Sequence, residues 1–206
     1  HNIAIIGDGG WGTTLAIHLH KLGHRVTWWG AFPEYVKLLR RRRENVKFLP
    51  GIRIPRQLPI TSDLTDAVRA ARVVVLAVPS QYFRSVVQRL KGVACTDQIF
   101  VSVAKGIERG TLKRMTEILQ EELAAVQVAV LSGPNIATEI AKGQPSSSVV
   151  ASANPDVVLW VQRLFMSDRF RVYASDDVIG VELGGALKNP IAIAAGIGDG
   201  LGFGAN

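Results

Sequence analysis

The architecture follows from one stretch near the start of the chain, Asn2-Ile3-Ala4-Ile5-Ile6-Gly7-Asp8-Gly9-Gly10-Trp11-Gly12. Its apolar first half predicts a buried β-strand. Residues 13–22 predict a helix, because leucines and an alanine recur there at helical spacing. A strand, a G-x-G-x-x-G turn and a helix in this order form the fingerprint of dinucleotide-binding folds. The stretch therefore predicts a doubly wound Rossmann-type α/β fold.

Each glycine of this turn has a physical task. Gly7 permits the tight turn, Gly9 lets the backbone approach a pyrophosphate, and Gly12 lets helix and strand pack closely. The free N–H groups and the dipole at the helix start favour an anion there. The turn therefore predicts NAD or NADP as the cofactor, and the alternative is a glycine-rich turn that binds no ligand.

Composition narrows the class of protein. The 206 residues are 48% hydrophobic, which is ample for a substantial core, and 24 Lys and Arg against 17 Asp and Glu give a net charge of +7. A positive balance favours anionic partners. The single cysteine, Cys95, has no partner in the chain for a disulfide, which is typical of a reducing compartment such as the cytoplasm. No uninterrupted apolar stretch approaches the roughly 20 residues of a membrane span.

The end of the second predicted strand, Arg25–Trp29, bears on the choice of cofactor. An NAD site usually places Asp or Glu there to bind the ribose hydroxyls. This chain has Gly30-Ala31-Phe32 instead, and Glu34 comes only after Pro33. No arginine stands at the strand end to hold the 2′-phosphate of NADP, so NAD and NADP both stay open.

A basic cluster closes the next predicted helix, Glu34–Arg43, which ends in Arg40-Arg41-Arg42-Arg43. Clustered cations can bind nucleic acid by releasing counterions from phosphates. No recognisable nucleic-acid fold accompanies the cluster, however, and cations complement the dipole at a helix end. We therefore favour a solvated helix end, leave a contribution to holding a 2′-phosphate open, and expect no nucleic-acid partner.

The remaining pattern continues the alternation of strands and helices. A short helix is predicted to start at Asp63 or Thr65, and an amphipathic helix at 111–124, with Leu112 facing inward. Asn154 and Pro155 predict the start of another helix. The later strands are predicted at Val73–Val78, Ile99–Ala104, Val126–Leu131, Ser146–Ala151 and Arg169–Tyr173.

Candidate ligand residues follow the ends of these strands, where ligands of open α/β sheets bind. Tyr82 either packs on a nicotinamide or adenine ring or fills the core. Lys105 is a candidate for binding a phosphate or carbonyl group. Gly133 and Ala137 are small enough for backbone to approach a ligand closely.

The last segment is apolar and predicts a long helix despite Gly184 and Gly185. Lys188 is the lone charge between Glu182 and Asp199. A buried lysine can act as a base near neutral pH. The alternative is a lysine whose stem lies along a helix flank with its amine in water.

Six motifs together make the sequence resemble the NAD(P)-dependent glycerol-3-phosphate dehydrogenase family. They occur in the family's order and span the whole sequence. They are Gly7-Asp8-Gly9-Gly10-Trp11-Gly12, Val78-Pro79-Ser80-Gln81, Lys105-Gly106-Ile107-Glu108, Ser132-Gly133-Pro134-Asn135-Ile136-Ala137-Thr138-Glu139, Gly184-Gly185-Ala186-Leu187-Lys188-Asn189 and Asp199-Gly200-Leu201-Gly202-Phe203-Gly204.

The resemblance implies interconversion of sn-glycerol 3-phosphate and dihydroxyacetone phosphate, feeding phospholipid synthesis. Lys188 would take the C2 hydroxyl proton and return it, with Asn189 beside it and Lys105 reaching substrate and nicotinamide. The predicted cofactor contacts are Gly7, Gly9, Gly10, Trp11, Gly12, Tyr82, Lys105 and Ala137. The predicted substrate contacts are Lys105, Gly133, Asn135 and Lys188. No metal site is predicted.

The resemblance also implies two domains. Residues 1–175 would form the NAD(P)-binding domain, and residues 176–206 would start an all-helical substrate domain. In the family that second domain continues beyond the Phe203 region and supplies an Arg-Asn pair for the substrate phosphate, so we expect this sequence to be a fragment. The alternatives are a truncated or catalytically silent NAD(P)-binding module and a related two-domain hydroxyacid dehydrogenase. A homodimer is a candidate assembly.

Overall fold

A computed structural model of the protein describes residues 1–123 and 126–204. Its strands are β1 Asn2–Ile6, β2 Arg25–Trp29, β3 Glu44–Asn45, β4 Leu49–Arg53, β5 Ile60–Thr61, β6 Val73–Leu76, β7 Ile99–Ser102, β8 Gln127–Ser132, β9 Ser146–Ala151 and β10 Phe170–Ser175. Its helices are α1 Gly10–Lys21, α2 Pro33–Arg42, α3 Leu64–Arg69, α4 Ser80–Gln88, α5 Met115–Glu122, α6 Ala137–Ala141, α7 Pro155–Phe165 and α8 Val178–Gly200.

One sheet of eight strands organises the chain, in the order β10-β9-β8-β7-β6-β1-β2-β5. Every neighbouring pair is parallel except β8 and β9, which run antiparallel. The strands β1, β2, β6, β7 and β8 therefore end at one edge of the sheet, called the carboxyl edge below. The strand order reverses direction at β1, which is where such folds open a ligand crevice. The predicted doubly wound, mostly parallel sheet is confirmed.

Both faces of the sheet are buried, which is why its central strands are continuously apolar. In β1, Ile3 and Ile5 point into a core shared with α1 and α7. Their neighbours Ala4 and Ile6 point to the opposite face, into a core shared with α3, α4 and α5. The short hairpin β3–β4 stands apart from this sheet.

One predicted helix begins later than the sequence pattern indicates. The helix predicted at 111–124 is observed as Met115–Glu122, and residues 124–125 lie outside the described part of the chain. Leu112 has a left-handed φ of 57° and is 71% exposed, so the prediction that it faces inward is wrong. Backbone bonds from Glu108 N to Lys113 O and from Leu112 N to Glu108 O close a turn there. That turn competes with the first helical turn and directs Leu112 outward.

The long helix α8 carries an uncovered apolar surface. By length and composition alone it could cross a membrane, with a mean hydropathy of 1.3 over its most apolar window. Core helices of soluble proteins pass the same test, so this is weak grounds for a membrane segment. Its exposed large apolar side chains are Ile179, Leu187, Ile191, Ile193 and Ile197.

Glu182 anchors the first half of α8. This buried carboxylate accepts hydrogen bonds from Arg114 Nη1 at 2.8 Å, Thr116 N at 2.9 Å and Thr116 Oγ1 at 2.6 Å. Arg114 and Thr116 stand at the start of α5. The three bonds therefore join α8 to the body of the domain.

We expect Glu182→Gln to lower the free energy of unfolding by about 3 kcal/mol, because it leaves the partly buried Arg114 guanidinium without its full counter-charge. Urea denaturation followed by circular dichroism measures this. The control is Glu139→Gln, which neutralises an exposed carboxylate on α6 and should stay within about 0.5 kcal/mol of the wild type. Equal unfolding free energies for the wild type and Glu182→Gln would show that the anchor contributes nothing.

Candidate cofactor and substrate site

The glycine turn between β1 and α1 is held from two neighbouring strands. Gly7 is buried with φ at +127°, a conformation that favours glycine, and its N–H donates to Trp29 O at 3.0 Å. Trp28 Nε1 donates to Gly7 O at 2.8 Å. A Cβ on Gly7 would lie 2.5 Å from Ala77 O, just beyond β6. The turn is therefore tight on both sides of β1.

The other three glycines differ in what surrounds them. A Cβ on Gly12 would lie 2.2 Å from Gly7 O, so the helix packs directly on the turn. A Cβ on Gly10 would lie 2.6 Å from Phe48 O in the β3–β4 hairpin. At Gly9, by contrast, no atom of the described residues lies within 4 Å of a Cβ. Gly9 is the open face of the turn.

The start of α1 has the properties of an anion site. The helix begins at Gly10, and its N-cap Gly9 offers no side chain to the first-turn amides. Helix N-terminal amides with no side-chain cap, next to an open glycine, suit a pyrophosphate. The turn therefore fits the dinucleotide that the sequence predicts.

Two of the predicted cofactor contacts flank this turn in different ways. The Trp11 ring is partly buried against the core, 6.4 Å from the Phe170 ring centroid, while its backbone amide belongs to the first turn of α1. Ala137 begins α6, with its Cβ 3.8 Å from the position of a Gly10 Cβ. Its carbonyl accepts a hydrogen bond from Thr14 Oγ1 at 3.1 Å, which ties α6 to α1.

Tyr82 lies in the first turn of α4, just beyond the carboxyl end of β6. Its side chain is 65% exposed, so the alternative that it fills the core is wrong. An exposed aromatic ring at the carboxyl edge is available to stack on a planar ligand. The predicted cofactor contact stays a prediction.

Lys105 and Lys188 lie close together at the carboxyl edge. Lys105 Nζ donates to Gly133 O at 2.9 Å. A Cβ on Gly185 of α8 would lie 3.7 Å from Lys105 Cγ, and Lys188 follows three residues later on the same helix. Burial lowers the pKa of Lys105 below its usual value, and the nearby Lys188 cation lowers it further. Three of the four predicted substrate contacts therefore meet at one place.

Of the two alternatives for Lys188, the structure favours the exposed lysine over the buried one. Both Lys188 and Asn189 are exposed. The first half of α8 is joined to the start of α5 through Glu182 and lies against Ser132 of β8 at Gly185, whereas the large apolar residues from Leu187 onward are exposed. An apolar sequence predicts a covered helix, and α8 lies in contact with the domain over only part of its length.

Asn135, the fourth predicted substrate contact, has its carboxamide bonded to strand β9. Nδ2 donates to Ser146 Oγ at 3.1 Å and to Ser147 O at 2.8 Å, and Oδ1 accepts from Ser148 Oγ at 2.7 Å. These bonds fix the loop that carries Gly133. A positioning role is therefore visible, while direct contact with a substrate stays a prediction.

Sequence reasoning missed Asn45, which joins the β3–β4 hairpin to the glycine turn. It is fully buried, and its Nδ2 donates to Asp8 O at 2.8 Å and to Thr13 Oγ1 at 2.7 Å. Its Oδ1 accepts from Tyr35 Oη at 2.6 Å. The Pro-Gly pair at residues 50–51 indicates a turn in the sequence, but both residues lie within β4, so it gave no signal for the Asn45 contacts.

Two arginines of the basic cluster at residues 40–43 donate hydrogen bonds to backbone carbonyls. Arg40 Nε donates to Ile60 O at 2.6 Å, and Arg43 Nη1 donates to Pro55 O and Leu58 O at 3.1 and 2.9 Å. These bonds hold residues 55–60 against the end of α2, while Arg41 and Arg42 are exposed. The contacts fit a helix end more closely than a nucleic-acid surface.

Among the described residues, no group of three His, Cys, Asp or Glu side chains comes together as a metal site would require.

Comparison with known proteins shows which family models this sequence matches. Residues 2–158 match the family model described as NAD-dependent glycerol-3-phosphate dehydrogenase N-terminus, and residues 177–206 match the corresponding C-terminus model. The chain is 50% identical over 206 residues to a glycerol-3-phosphate dehydrogenase (NAD(P)+) of Fusobacterium nucleatum, covering 99% of the chain and 62% of the relative. A protein of the same name from Prosthecochloris aestuarii is 46% identical over 207 residues, again with 99% and 62% covered.

A solved structure agrees with these relatives. The crystal structure of glycerol-3-phosphate dehydrogenase from Coxiella burnetii superposes with a TM-score of 0.90 at 36% identity, covering 99% of this chain and 62% of that one. A pyrroline-5-carboxylate reductase from the same organism, at 14% identity and a TM-score of 0.66, shares the fold alone. The chain spans about 62% of the length of each of the two curated relatives from Fusobacterium nucleatum and Prosthecochloris aestuarii.

Proposed function

This chain belongs to the NAD-dependent glycerol-3-phosphate dehydrogenase family, and from that membership we propose that it is the cofactor-binding part of an enzyme interconverting sn-glycerol 3-phosphate and dihydroxyacetone phosphate with NAD or NADP. The observation that carries the proposal is the pair Lys105 and Lys188 at the carboxyl edge, on the ligand side of a glycine turn with an open amide face. A dehydrogenase that reduces a carbonyl group needs a cofactor site and a positioned proton donor.

The glycine turn would hold the cofactor pyrophosphate. The amides of Gly10, Trp11 and Gly12 begin α1, and the open face at Gly9 leaves room for the phosphates. Tyr82 and Ala137 border the same crevice from α4 and α6. A bound nicotinamide would supply the hydride chemistry.

The two lysines would handle charge on the substrate oxygen. Hydride transfer at a secondary carbinol needs a proton acceptor or donor at its oxygen, and Lys188 carries an amine to that edge. Lys105 has a lowered pKa and a fixed bond to Gly133 O, so its position is set before substrate arrives. Two cations close together also favour a phosphorylated substrate and stabilise a developing alkoxide. Asn189 adds a carboxamide next to Lys188.

We assign residues 1–175 to the cofactor domain and residues 176–206 to the start of a helical substrate domain, of which 205–206 lie outside the described part. The uncovered apolar surface of α8 supports this division, because a soluble protein normally buries such a surface. We further propose that the enzyme is cytoplasmic and works as a homodimer without a nucleic-acid partner. Its product would supply phospholipid synthesis.

Two other functions compete. A silent cofactor-binding module is favoured by the exposure of Lys188 and Asn189, since a catalytic base is usually enclosed. A related hydroxyacid dehydrogenase would share the fold and the glycine turn. The 50% identity to a glycerol-3-phosphate dehydrogenase favours the proposed substrate over that alternative.

The test is a titration followed by turnover. We expect the protein to bind NADH or NADPH, read from the increase in nicotinamide fluorescence, because the turn is preformed. Adding dihydroxyacetone phosphate should then consume the reduced cofactor. Cofactor binding without consumption of the reduced cofactor would favour the silent module. Consumption with the keto acid of a hydroxyacid, but not with dihydroxyacetone phosphate, would favour the related dehydrogenase. No binding of either dinucleotide would refute the proposed function.

A further inference from the structure

The carboxylate that the sequence lacks at the end of β2 is supplied from the neighbouring strand. β1 and β2 pair in parallel with Ile6 opposite Trp29, so the residues just beyond them meet at the carboxyl edge. Asp8 follows β1, and Gly30 follows β2. A Cβ on Gly30 would lie 2.8 Å from Asp8 Oδ2 and 3.3 Å from Asp8 Cβ. The Asp8 side chain therefore occupies the space beside Gly30.

This carboxylate is unusual in its surroundings. Oδ2 is buried and has no hydrogen-bond partner in residues 1–123 and 126–204, while Asp8 as a whole is half-buried. A buried polar atom without a partner is costly and calls for a functional explanation. Burial raises the pKa of Asp8 above its ordinary value, against the opposing effects of its own backbone N–H and the Lys47 cation.

Neighbouring residues hold Asp8 in this position. Asn45 Nδ2 donates to Asp8 O at 2.8 Å, and Val36 of α2 closes the other side of Gly30, with Cγ2 2.8 Å from a Gly30 Cβ. Any side chain at position 30 would displace the Asp8 carboxylate. The glycine at the strand end, where an acidic residue is usual, is thus explained by the carboxylate already beside it.

The other candidate carboxylate points elsewhere. Glu34 is the nearest acidic residue to β2 in the sequence, but it sits in the first turn of α2 and is largely exposed. Its Oε1 pairs with Lys37 Nζ at 2.7 Å. Glu34 therefore has a partner on its own helix, whereas Asp8 Oδ2 has none in the described chain.

We propose that Asp8 selects NAD over NADP, by accepting hydrogen bonds from the adenosine ribose hydroxyls and repelling a 2′-phosphate. This inference rests on the proposed function, because it presumes a dinucleotide on the glycine turn. A carboxylate at the end of β2 performs that recognition in Rossmann folds. Here it comes from inside the glycine motif, one residue past Gly7, and reaches the same edge because β1 and β2 are adjacent.

The experiment compares NADH and NADPH binding, by nicotinamide fluorescence, in the wild type, Asp8→Asn, Asp8→Ala and Glu34→Gln. We expect the wild type to bind NADH on the order of tenfold to a hundredfold more tightly than NADPH, because the Asp8 carboxylate would repel the 2′-phosphate of NADPH. Asp8→Asn should bring the two dissociation constants to within about threefold, chiefly by tightening NADPH. Asp8→Ala, which only removes atoms, should do the same, and Glu34→Gln should keep the wild-type ratio.

The outcomes separate this inference from the function on which it rests. Wild-type binding of both dinucleotides without preference, or a preference unchanged in both Asp8 variants, would overturn the role of Asp8 and leave the cofactor site standing. Binding of neither dinucleotide by the wild type would overturn both. Thermal melting of each variant shows that the comparison is made between folded proteins.

Discussion

We expect the replacement of Lys188 with methionine to lower the proposed turnover of dihydroxyacetone phosphate by roughly 10²- to 10⁴-fold, the contribution typical of a positioned proton donor. Cofactor affinity should stay within about twofold of the wild type, because Lys188 lies on α8, whereas the proposed pyrophosphate contacts lie between β1 and α1. Methionine keeps the length of the stem and removes the amine. The measurement pairs steady-state consumption of NADH with a fluorescence titration of the same samples.

The control for this prediction is Lys142→Met. Lys142 is an exposed lysine at the end of α6, so its loss removes one positive charge without touching the Lys105–Lys188 pair. If turnover survives in Lys188→Met, the amine is not the proton carrier. If Lys142→Met loses as much activity as Lys188→Met, the effect comes from net charge and not from position.

Replacing Gly12 with alanine should lower the free energy of unfolding by about 3 kcal/mol, at the upper end for an overpacked core position. The added Cβ would lie 2.2 Å from Gly7 O and 3.3 Å from Ala77 Cβ, so α1 must move away from the turn. NADH binding should be lost with it, because the amides of α1 shift relative to the phosphates. Urea denaturation and nicotinamide fluorescence measure the two effects.

Gly9→Ala is the matched control, since it adds the same methyl group three residues away. Gly9 has φ at −71° and no neighbour within 4 Å of a Cβ among the described residues, so alanine fits without strain. Its free energy of unfolding should stay within about 0.5 kcal/mol of the wild type, while NADH affinity falls because the methyl group fills the open face. A Gly12→Ala protein as stable as Gly9→Ala would refute the close packing of helix on turn.

The sequence predicted the sheet well because its strands carry strong local signals. β1, β2 and β9 have the predicted bounds, and α7 begins after Asn154 with Pro155 at its first position, as predicted. These elements depend on apolar runs and caps that lie within a few residues of each other. The prediction that Leu112 faces inward was wrong because the apolar pattern indicated a helix there. A turn closed by Glu108 and Lys113 forms instead.

The site was less predictable because its parts come together from distant segments. The motifs identified Lys105, Gly133 and Lys188, but their meeting depends on how β7, β8 and α8 pack. The contact of Asn45 with the glycine turn crosses more than 30 residues of sequence. The position of Asp8 beside Gly30 follows from strand pairing alone, which no local pattern at either residue reveals.

The one antiparallel pairing among the eight strands of the sheet, between β8 and β9, has a geometric consequence for the amine on α8. Because β9 runs against β8 and β10 follows β9, the chain leaves the sheet at the edge opposite the crevice. From Val178, α8 must run back along the height of the sheet, about 15 Å over the ten residues to Lys188. The number of residues in this part of α8 therefore sets the position of the Lys188 amine. One residue added or removed along that climb would swing the amine about 100° around the axis and out of register with Lys105.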